Sequence, residues 1–549
     1  MRKIYFLLLI IIFLIAIFLR FFNLEKVPAG FHVDEASLGY NAYSLLLTGK
    51  DENNHPLPLY IDMFGDNRPS GYHYLTILPV KFFGLNVFAT RFMAAFFGSI
   101  SVFAIFFLSY TLFNNKIIAL FASLLLAIAP WHVVLSRASA EAIVALFFIF
   151  VGFAVVFQGF RKKKALYISI GGLILSLSFF FYHTPRVFVP LLFFIYFLYY
   201  LWEFRSHISL RHLIIMFLTF VILSFIALSL VFVAKGGTGR FTQVNIFGFP
   251  ETKLVMQEQI REDGTAGISI FNTRFYHNKL LNFSLTFVSN YFSYFDGNFL
   301  FIKGGLPIWY KVPNMGLIYL IELPFFLYGI FQLLVSKSSF SKLPIIWLSL
   351  APIVAAFTVD DVPNINRAIV LFPIIEIVTA YGIISFITKF TGWKTIIFSV
   401  CIASLLFVNF LYFQHQYIVH ASTHQTWYRN NGFDKLISRL KISYNDVDEI
   451  VITKSTGGIY PLILFYMHYD PRAYQLAGSP KDKEYTQFGK FFFAPQDCPS
   501  INKDQRFPKN KNIIFVDRGD CPENKGLGVK KRETILREDG TKAFRIVYE

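Results

Sequence analysis

Ile4–Phe22 is an almost unbroken apolar run of roughly 19 residues, preceded by Arg2 and Lys3, and runs like it recur along the chain. A helix of that length crosses the hydrocarbon core of a bilayer. A secretory signal has a shorter apolar centre and a small-residue cleavage site, and neither is evident, so the run reads as a retained first span entering from the cytoplasm. Further spans are expected at 88–113, 117–135, 141–159, 165–182, 187–203, 212–234, 316–335, 343–358, 368–388 and 395–413, about eleven in all. Residues 70–84, interrupted by Pro79 and Lys81, fit an interfacial helix better.

Composition supports the same class. Only 15% of residues are charged, against about a quarter in soluble domains, and the mean hydropathy is +0.51. The 68 Phe residues exceed what so little polar cover could hide from water, so part of them must face lipid. The expected fold is a polytopic α-helical membrane protein with long outer-face loops at 23–87 and 235–315. A small C-terminal α/β domain follows.

The formal charge of +17 does not point to nucleic acid, because the basic residues sit in short connectors and in the polar tail. With the first span running outward, the inside connectors carry Lys116, the run Arg161–Lys164, Arg205, Arg211, Lys337, Lys342, Lys389 and Lys394. Each inside connector thus obeys the positive-inside bias, and an odd number of spans leaves the tail outside. The expected division is a membrane domain over 1–413 and an extracytoplasmic domain over 414–549. In the latter, Glu449–Thr453 and 512–516 read as short buried strands, with a helix near 458–468 between them. Cys498 and Cys521 both lie in this tail, where one bridge or two free thiols are equally compatible with the spacing.

The outside segments carry unusual polar residues: Asp34, Glu35, Arg137, Glu141, His183, Arg186, Asp360, Asp361 and Arg367. The positive-inside bias gives no reason for arginines there. Asp34 and Glu35, in GFHVDEASLGY, point about 100° apart on a helix, so one can face a substrate while the other pairs with a cation. Asp34 also suits an N-cap for a helix over 36–47. In PWHVVLSRASAEA, Arg137 and Glu141 share a face if one helix runs through both, which fits either an ion pair or a phosphate site. In YHTPRVFVP, His183 and Arg186 flank a turn enforced by Pro185, where Arg186 either snorkels to headgroups or binds an anion. In TVDDVPNINR, turn chemistry accounts for part of the Asp360, Asp361 and Arg367 composition. Glu322 and Glu376 intrude on spans, which marks them as functional candidates.

These stretches resemble the GT-C glycosyltransferases of the protein O-mannosyltransferase and lipid A aminoarabinose transferase type. The likeness rests on the acid pair in the first outside loop, PWHVVLSR…E at the turn after the third span, Tyr182–Arg186, and the long loop before the eighth span. FYMHYDPRAYQ, residues 465–475, is similar to tails of bacterial members. The resemblance implies transfer of a sugar, with inversion, from a polyprenyl-phosphate carrier to an acceptor protein or glycolipid on the extracytoplasmic side of the cell membrane. It makes Asp34 the general base, with Glu35 beside it as the second catalytic acid. Arg137, Arg186 and Arg367 become donor-phosphate ligands, and Glu141, His183, Asp360 and Asp361 supporting residues. A divalent ion bridging phosphate and carboxylate is compatible with this chemistry, but no ligand set compels one. Two other readings stand beside it: a transporter or lipid flippase working through Glu376, and a scaffold for envelope enzymes.

Overall fold

The computed structural model describes residues 2–204, 210–232, 244–248, 250–454, 457–508, 512–523 and 529–549. Arg205 of the expected inside connectors, the end of the expected 212–234 span, and residues 235–243 and 249 of the long outside loop lie outside the described residues. Among those described, seven helices are long and apolar enough to cross a membrane: Lys3–Phe21, Val87–Phe113, Glu141–Lys162, Pro185–Glu203, Leu213–Phe232, Ser339–Ala356 and Trp393–Thr423. A bent pair, Lys116–Ile128 and Pro130–Ser136, makes an eighth if counted as one span. Three shorter apolar helices, Ala165–Phe180, Glu322–Val335 and Phe372–Ile387, fall where spans were expected. Phe6, Phe18, Phe107, Phe225 and Phe407 are each more than half exposed on these helices, as a lipid-facing surface requires. The chain is a multi-pass membrane protein.

By internal contacts the chain divides into two compact units. One comprises Met1–Phe22, Ala95–Ser136 and Ala140–Gln414, and holds most of the apolar helices. Its helices approach closely where small residues allow it: a Cβ on Gly382 would collide with the Phe325 carbonyl, so Glu322–Val335 and Phe372–Ile387 pack nearly backbone to backbone.

The bend at residue 129 has a local cause. Pro130 has no N–H for the Leu126 carbonyl, and the Trp131 amide turns away to donate to Leu317 O at 3.0 Å. The abandoned carbonyls find other donors. Arg20 Nη2 reaches Leu126 O at 3.2 Å, Arg20 Nη1 reaches Ala127 O at 3.0 Å, and the Tyr319 hydroxyl donates to Ile128 O at 2.6 Å. Residues 317–319 are therefore held as irregular backbone, with Leu317 and Ile318 amides donating to Leu300 O. That is why the helix expected from 316 begins only at Glu322.

The second unit comprises Asn23–Ala94, Arg137–Ser139 and His415–Glu549, so the first outside segment packs together with the C-terminal tail. Its centre is a six-stranded sheet in the order β4-β5-β3-β6-β8-β7. The strands are β3 (Glu449–Thr453), β4 (Gln487–Phe488), β5 (Phe491–Ala494), β6 (Ile513–Arg518), β7 (Lys531–Leu536) and β8 (Lys542–Tyr548), after β1 (Tyr60–Met63) and β2 (Asp66–Pro69), which form a separate hairpin. β5, β3 and β6 are parallel, and the outer pairings are antiparallel. The expected strands correspond to β3 and β6, and the expected helix to Ile459–Met467. The Val33–Thr48 helix packs on that helix through Gly39, where a Cβ would press on the Phe465 ring. Cys498 and Cys521 form a disulfide.

Candidate active site

The acid pair lies on the first turn of the Val33–Thr48 helix, and His32, not Asp34, is its cap. His32 has extended backbone (φ −63°, ψ 146°), and its Nδ1 accepts from the Asp34 amide at 3.2 Å. The His32 amide in return donates to Glu35 Oε2 at 3.4 Å, closing a capping box. An accepting Nδ1 must carry no proton. Burial pushes the His32 pKa down, against the opposing pull of the Asp34 and Glu35 carboxylates. With the cap supplied by His32, the Asp34 carboxylate is released for another use.

The two carboxylates then diverge. Glu35 is enclosed: Arg91 Nε donates to Oε1 and Arg91 Nη2 to Oε2, each at 2.9 Å, and the Ser139 hydroxyl donates to Oε1 at 3.1 Å. Arg91 also donates to the carbonyls of Leu24 (3.1 Å), Pro28 (3.3 Å) and Gly30 (2.9 Å), so all five of its N–H groups are engaged. Arg137 works on the same stretch, its Nη2 reaching Asn23 O at 3.2 Å and Val27 O at 2.9 Å while its guanidinium lies 6.0 Å from the Tyr417 ring centre. Two buried arginines thus pin the backbone that leads into the acid pair.

Asp34 is different: its side chain is 21% exposed, and Arg68 Nη2 donates to its Oδ2 at 2.8 Å. Arg68 stands on β2, next to a hairpin turn at Phe64 and Gly65, both at positive φ, where Asp62 Oδ1 accepts from the Gly65 amide at 2.7 Å. Arg68 Nε also donates to Asp66 Oδ2 at 3.3 Å, which aims the guanidinium. A half-open carboxylate beside an orienting cation can accept a proton from a bound hydroxyl.

The remaining residues singled out in the sequence belong to the helical unit. The chain leaves the helix between Pro130–Ser136 and Glu141–Lys162, so Arg137 and Glu141 do not share one helical face, and Glu141 instead opens the second helix. Arg186 does not snorkel. It is only 4% exposed, its Nε and Nη2 donate to Phe179 O at 2.9 and 2.7 Å, and its Nη1 lies 3.2 Å from His183 Nδ1. Arg367 donates to Thr358 Oγ1 at 3.0 Å, to Asp360 Oδ2 at 3.2 Å and to the Asp360 carbonyl. Asp361 holds the neighbouring turn at φ 52°. Thr184 Oγ1 donates to Arg367 O at 3.4 Å, so the 183–186 turn and the 358–367 segment meet.

Sequence reasoning missed Arg68, Arg91 and Ser139. Arg91 had a signal: it stands near the outer end of the expected 88–113 span, where the positive-inside bias gives no more reason for an arginine than at Arg137. Arg68 had none, because a hairpin of a few residues inside a long loop shows no periodicity. Among the described residues no group of three or more His, Cys, Asp or Glu is arranged to hold a metal ion.

Residues 6–242 match the model of the family described as dolichyl-phosphate-mannose-protein mannosyltransferase. No curated protein sequence matches the chain significantly. The structure of ArnT from Cupriavidus metallidurans in the apo state is similar over 100% of this chain and 98% of its own, with a TM-score of 0.56 and 11% identity. The same protein bound to undecaprenyl phosphate gives a TM-score of 0.54 at 10% identity, over 100% and 97%. The archaeal oligosaccharyltransferase AglB from Archaeoglobus fulgidus, in complex with an inhibitory peptide and a dolichol-phosphate, aligns over 85% of this chain with a TM-score of 0.53 and 13% identity. The chain spans 64% of that protein's length. At such identities the shared property is the fold, which is GT-C. A transport reading built on Glu376 finds no support in it. The Glu376 carboxylate is fully buried and accepts from Trp131 Nε1 at 3.3 Å.

Proposed function

We propose that the chain is a membrane glycosyltransferase that moves a sugar from a polyprenyl-phosphate carrier to an acceptor hydroxyl, with Asp34 as general base. The observation that carries this reading is the contrast on one helical turn: Glu35 is closed by Arg91 and Ser139, while Asp34 keeps an accessible carboxylate oriented by Arg68. The family match and the ArnT and AglB folds, one solved with undecaprenyl phosphate and the other with dolichol-phosphate, support a lipid-linked donor.

The reaction needs little else. The acceptor oxygen attacks the anomeric carbon as its proton passes to an Asp34 oxygen, and the bond from that carbon to the carrier phosphate breaks. Attack opposite the leaving group inverts the anomeric centre. The departing lipid phosphate is already acidic and requires no proton, only fixed positive charge where its own negative charge grows. Arg137, Arg186 and Arg367 are assigned that role, with Glu141, His183, Asp360 and Asp361 in support. Glu35 acts as a positioning residue, through Arg91, on the segment that presents Asp34.

We assign the N-terminus to the cytoplasm and the acid pair and tail to the extracytoplasmic side. The Lys and Arg pattern of the connectors supports this, and so does the Cys498–Cys521 disulfide, since such bonds persist in oxidising compartments. Acceptors compatible with the reading are a protein or a glycolipid.

The test is turnover by the purified full chain in lipid with a polyprenyl-phosphate sugar, followed as release of free carrier phosphate. Asp34→Asn removes it, and Arg186→Gln and Arg367→Gln raise the KM for donor. Undiminished turnover in Asp34→Asn overturns the assignment of the base.

A further inference from the structure

The helices Ile270–Tyr276 and Lys279–Ser293, in the long segment before the Glu322–Val335 helix, present two apolar faces where an ordinary surface helix has one. On the longer helix, Phe283, Phe287, Asn290 and Tyr291 face the helical unit. The Phe287 and Phe357 rings are 4.7 Å apart, Asn290 Nδ2 donates to Ala356 O (3.2 Å) and Thr358 O (2.8 Å), and the Tyr291 hydroxyl donates to Ser349 O at 2.8 Å. The opposite stripe, Leu281, Leu285, Val288 and Phe292, recurs at steps of four, three and four, which is again one helical face, and all four are exposed. The preceding helix adds Phe271 and Phe275, 79% and 64% exposed. Such a patch is larger and more aromatic than a water-facing surface tolerates.

We propose that this outward face lies in the membrane interface, with its apolar side chains among lipid acyl chains and Arg274 and Lys279 at headgroup phosphates. Two observations select lipid as the occupant. The first is continuity: the longer helix is hydrogen-bonded to Ser349 and Ala356 of the Ser339–Ala356 helix, which is long and apolar enough to cross the membrane, and to Thr358 just beyond it. Ser349 is seven residues inside that helix from Ala356, so the Tyr291 hydroxyl reaches a residue within the span. The second is charge: no Asp or Glu occurs between Asp263 and Asp296, while Arg274 and Lys279 stand in that interval, the balance expected for a helix lying on anionic lipid. The outward stripe is thereby a further contact with the bilayer, beside the spanning helices. Which leaflet it enters follows the sidedness proposed above. The depth itself does not depend on that proposal or on the sugar-transfer reading.

Nitroxide labels test it on the full chain in a Cys401→Ser background, reconstituted in bilayers of phosphatidylcholine and phosphatidylglycerol. Labels are placed singly through Phe275→Cys, Leu285→Cys and, as a water-facing control, Gln257→Cys. The expected result is collision with oxygen exceeding collision with a water-soluble nickel chelate at 275 and 285, and the reverse ratio at 257. Nickel access at 275 and 285 equal to that at 257 overturns the proposal. So does dipolar broadening between labels on two molecules, which would make the face a contact between copies. Shielding that appears only after polyprenyl phosphate is added overturns it in favour of the carrier's tail. Because all three labels sit at exposed positions, elution of each variant as the parent protein does establishes that the fold is retained.

Discussion

Two regions of this protein place a fully buried arginine near the end of an apolar helix, and they use it differently. At the bend after Ile128, Arg20 donates to main-chain carbonyls that Pro130 and Trp131 abandoned, and its Nη2 also lies within hydrogen-bond reach of His132 Nδ1 at 2.6 Å. At the entrance to the Val33–Thr48 helix, Arg91 donates to backbone as well but commits two N–H groups to the Glu35 carboxylate. The first arginine completes a broken hydrogen-bond ladder. The second encloses one member of an acid pair, while the side chain of its neighbour, paired with Arg68, stays 21% exposed. A buried guanidinium is therefore informative only once its acceptors are known.

The sharpest way to break this comparison is to remove the Asp34 charge and the arginine that holds Glu35 separately. Asp34→Asn is expected to cost about 10²- to 10⁴-fold in turnover with thermal unfolding unchanged, as the loss of a general base without loss of packing. An unfolding midpoint that drops with the activity would instead make Asp34 structural. Arg91→Ala should show the opposite pattern, a loss of about 3–5 kcal/mol of stability because Glu35 is left charged and enclosed. Chemical denaturation in detergent would measure it.

A third acid of the same unit extends the contrast. Glu52 is almost fully buried, accepts from the Tyr460 hydroxyl at 3.0 Å, and burial raises its pKa to about 8. Its folded pKa lies above the unfolded value near 4.5, so its contribution to stability is complete below that value and is lost as pH rises toward 8. The unit should accordingly weaken by a few kcal/mol across that window. Glu52→Gln should flatten the dependence, which unfolding midpoints between pH 5 and 9 would reveal. The smallest effect belongs to the bend: Tyr319→Phe leaves the Ile128 carbonyl without its donor, at about 1–3 kcal/mol. A neutral result there would mean that water or a neighbouring group replaces the hydroxyl.

Much of this architecture could be read along the chain because lipid imposes length. A run of apolar residues long enough to cross hydrocarbon forms a helix wherever it lies, since its backbone has no other partner there. The 316–335 run shows the limit: its first residues are apolar, yet they stay irregular because Trp131 and Leu300, far off in sequence, claim their backbone groups. The acid pair was visible as a pair, and its position on a helix followed from what comes after it. Which of the two acids was closed and which open was not visible, since that depends on Arg68, 34 residues on, and Arg91, 56 residues on.

The amino-acid order alone thus determined the membrane class, the placement of most of the apolar helices, the strands at 449–453 and near 512–516, and the recurrence of carboxylates and arginines between the apolar runs. These are local properties of hydropathy, periodicity and turn chemistry. Only the folded chain decided that His32 caps the helix, that Glu35 is neutralised, that Cys498 pairs with Cys521, and that the first outside segment packs with the tail. Each of those results joins groups remote in sequence or competing for one donor, and such competition is settled by three-dimensional proximity, not by the order of residues.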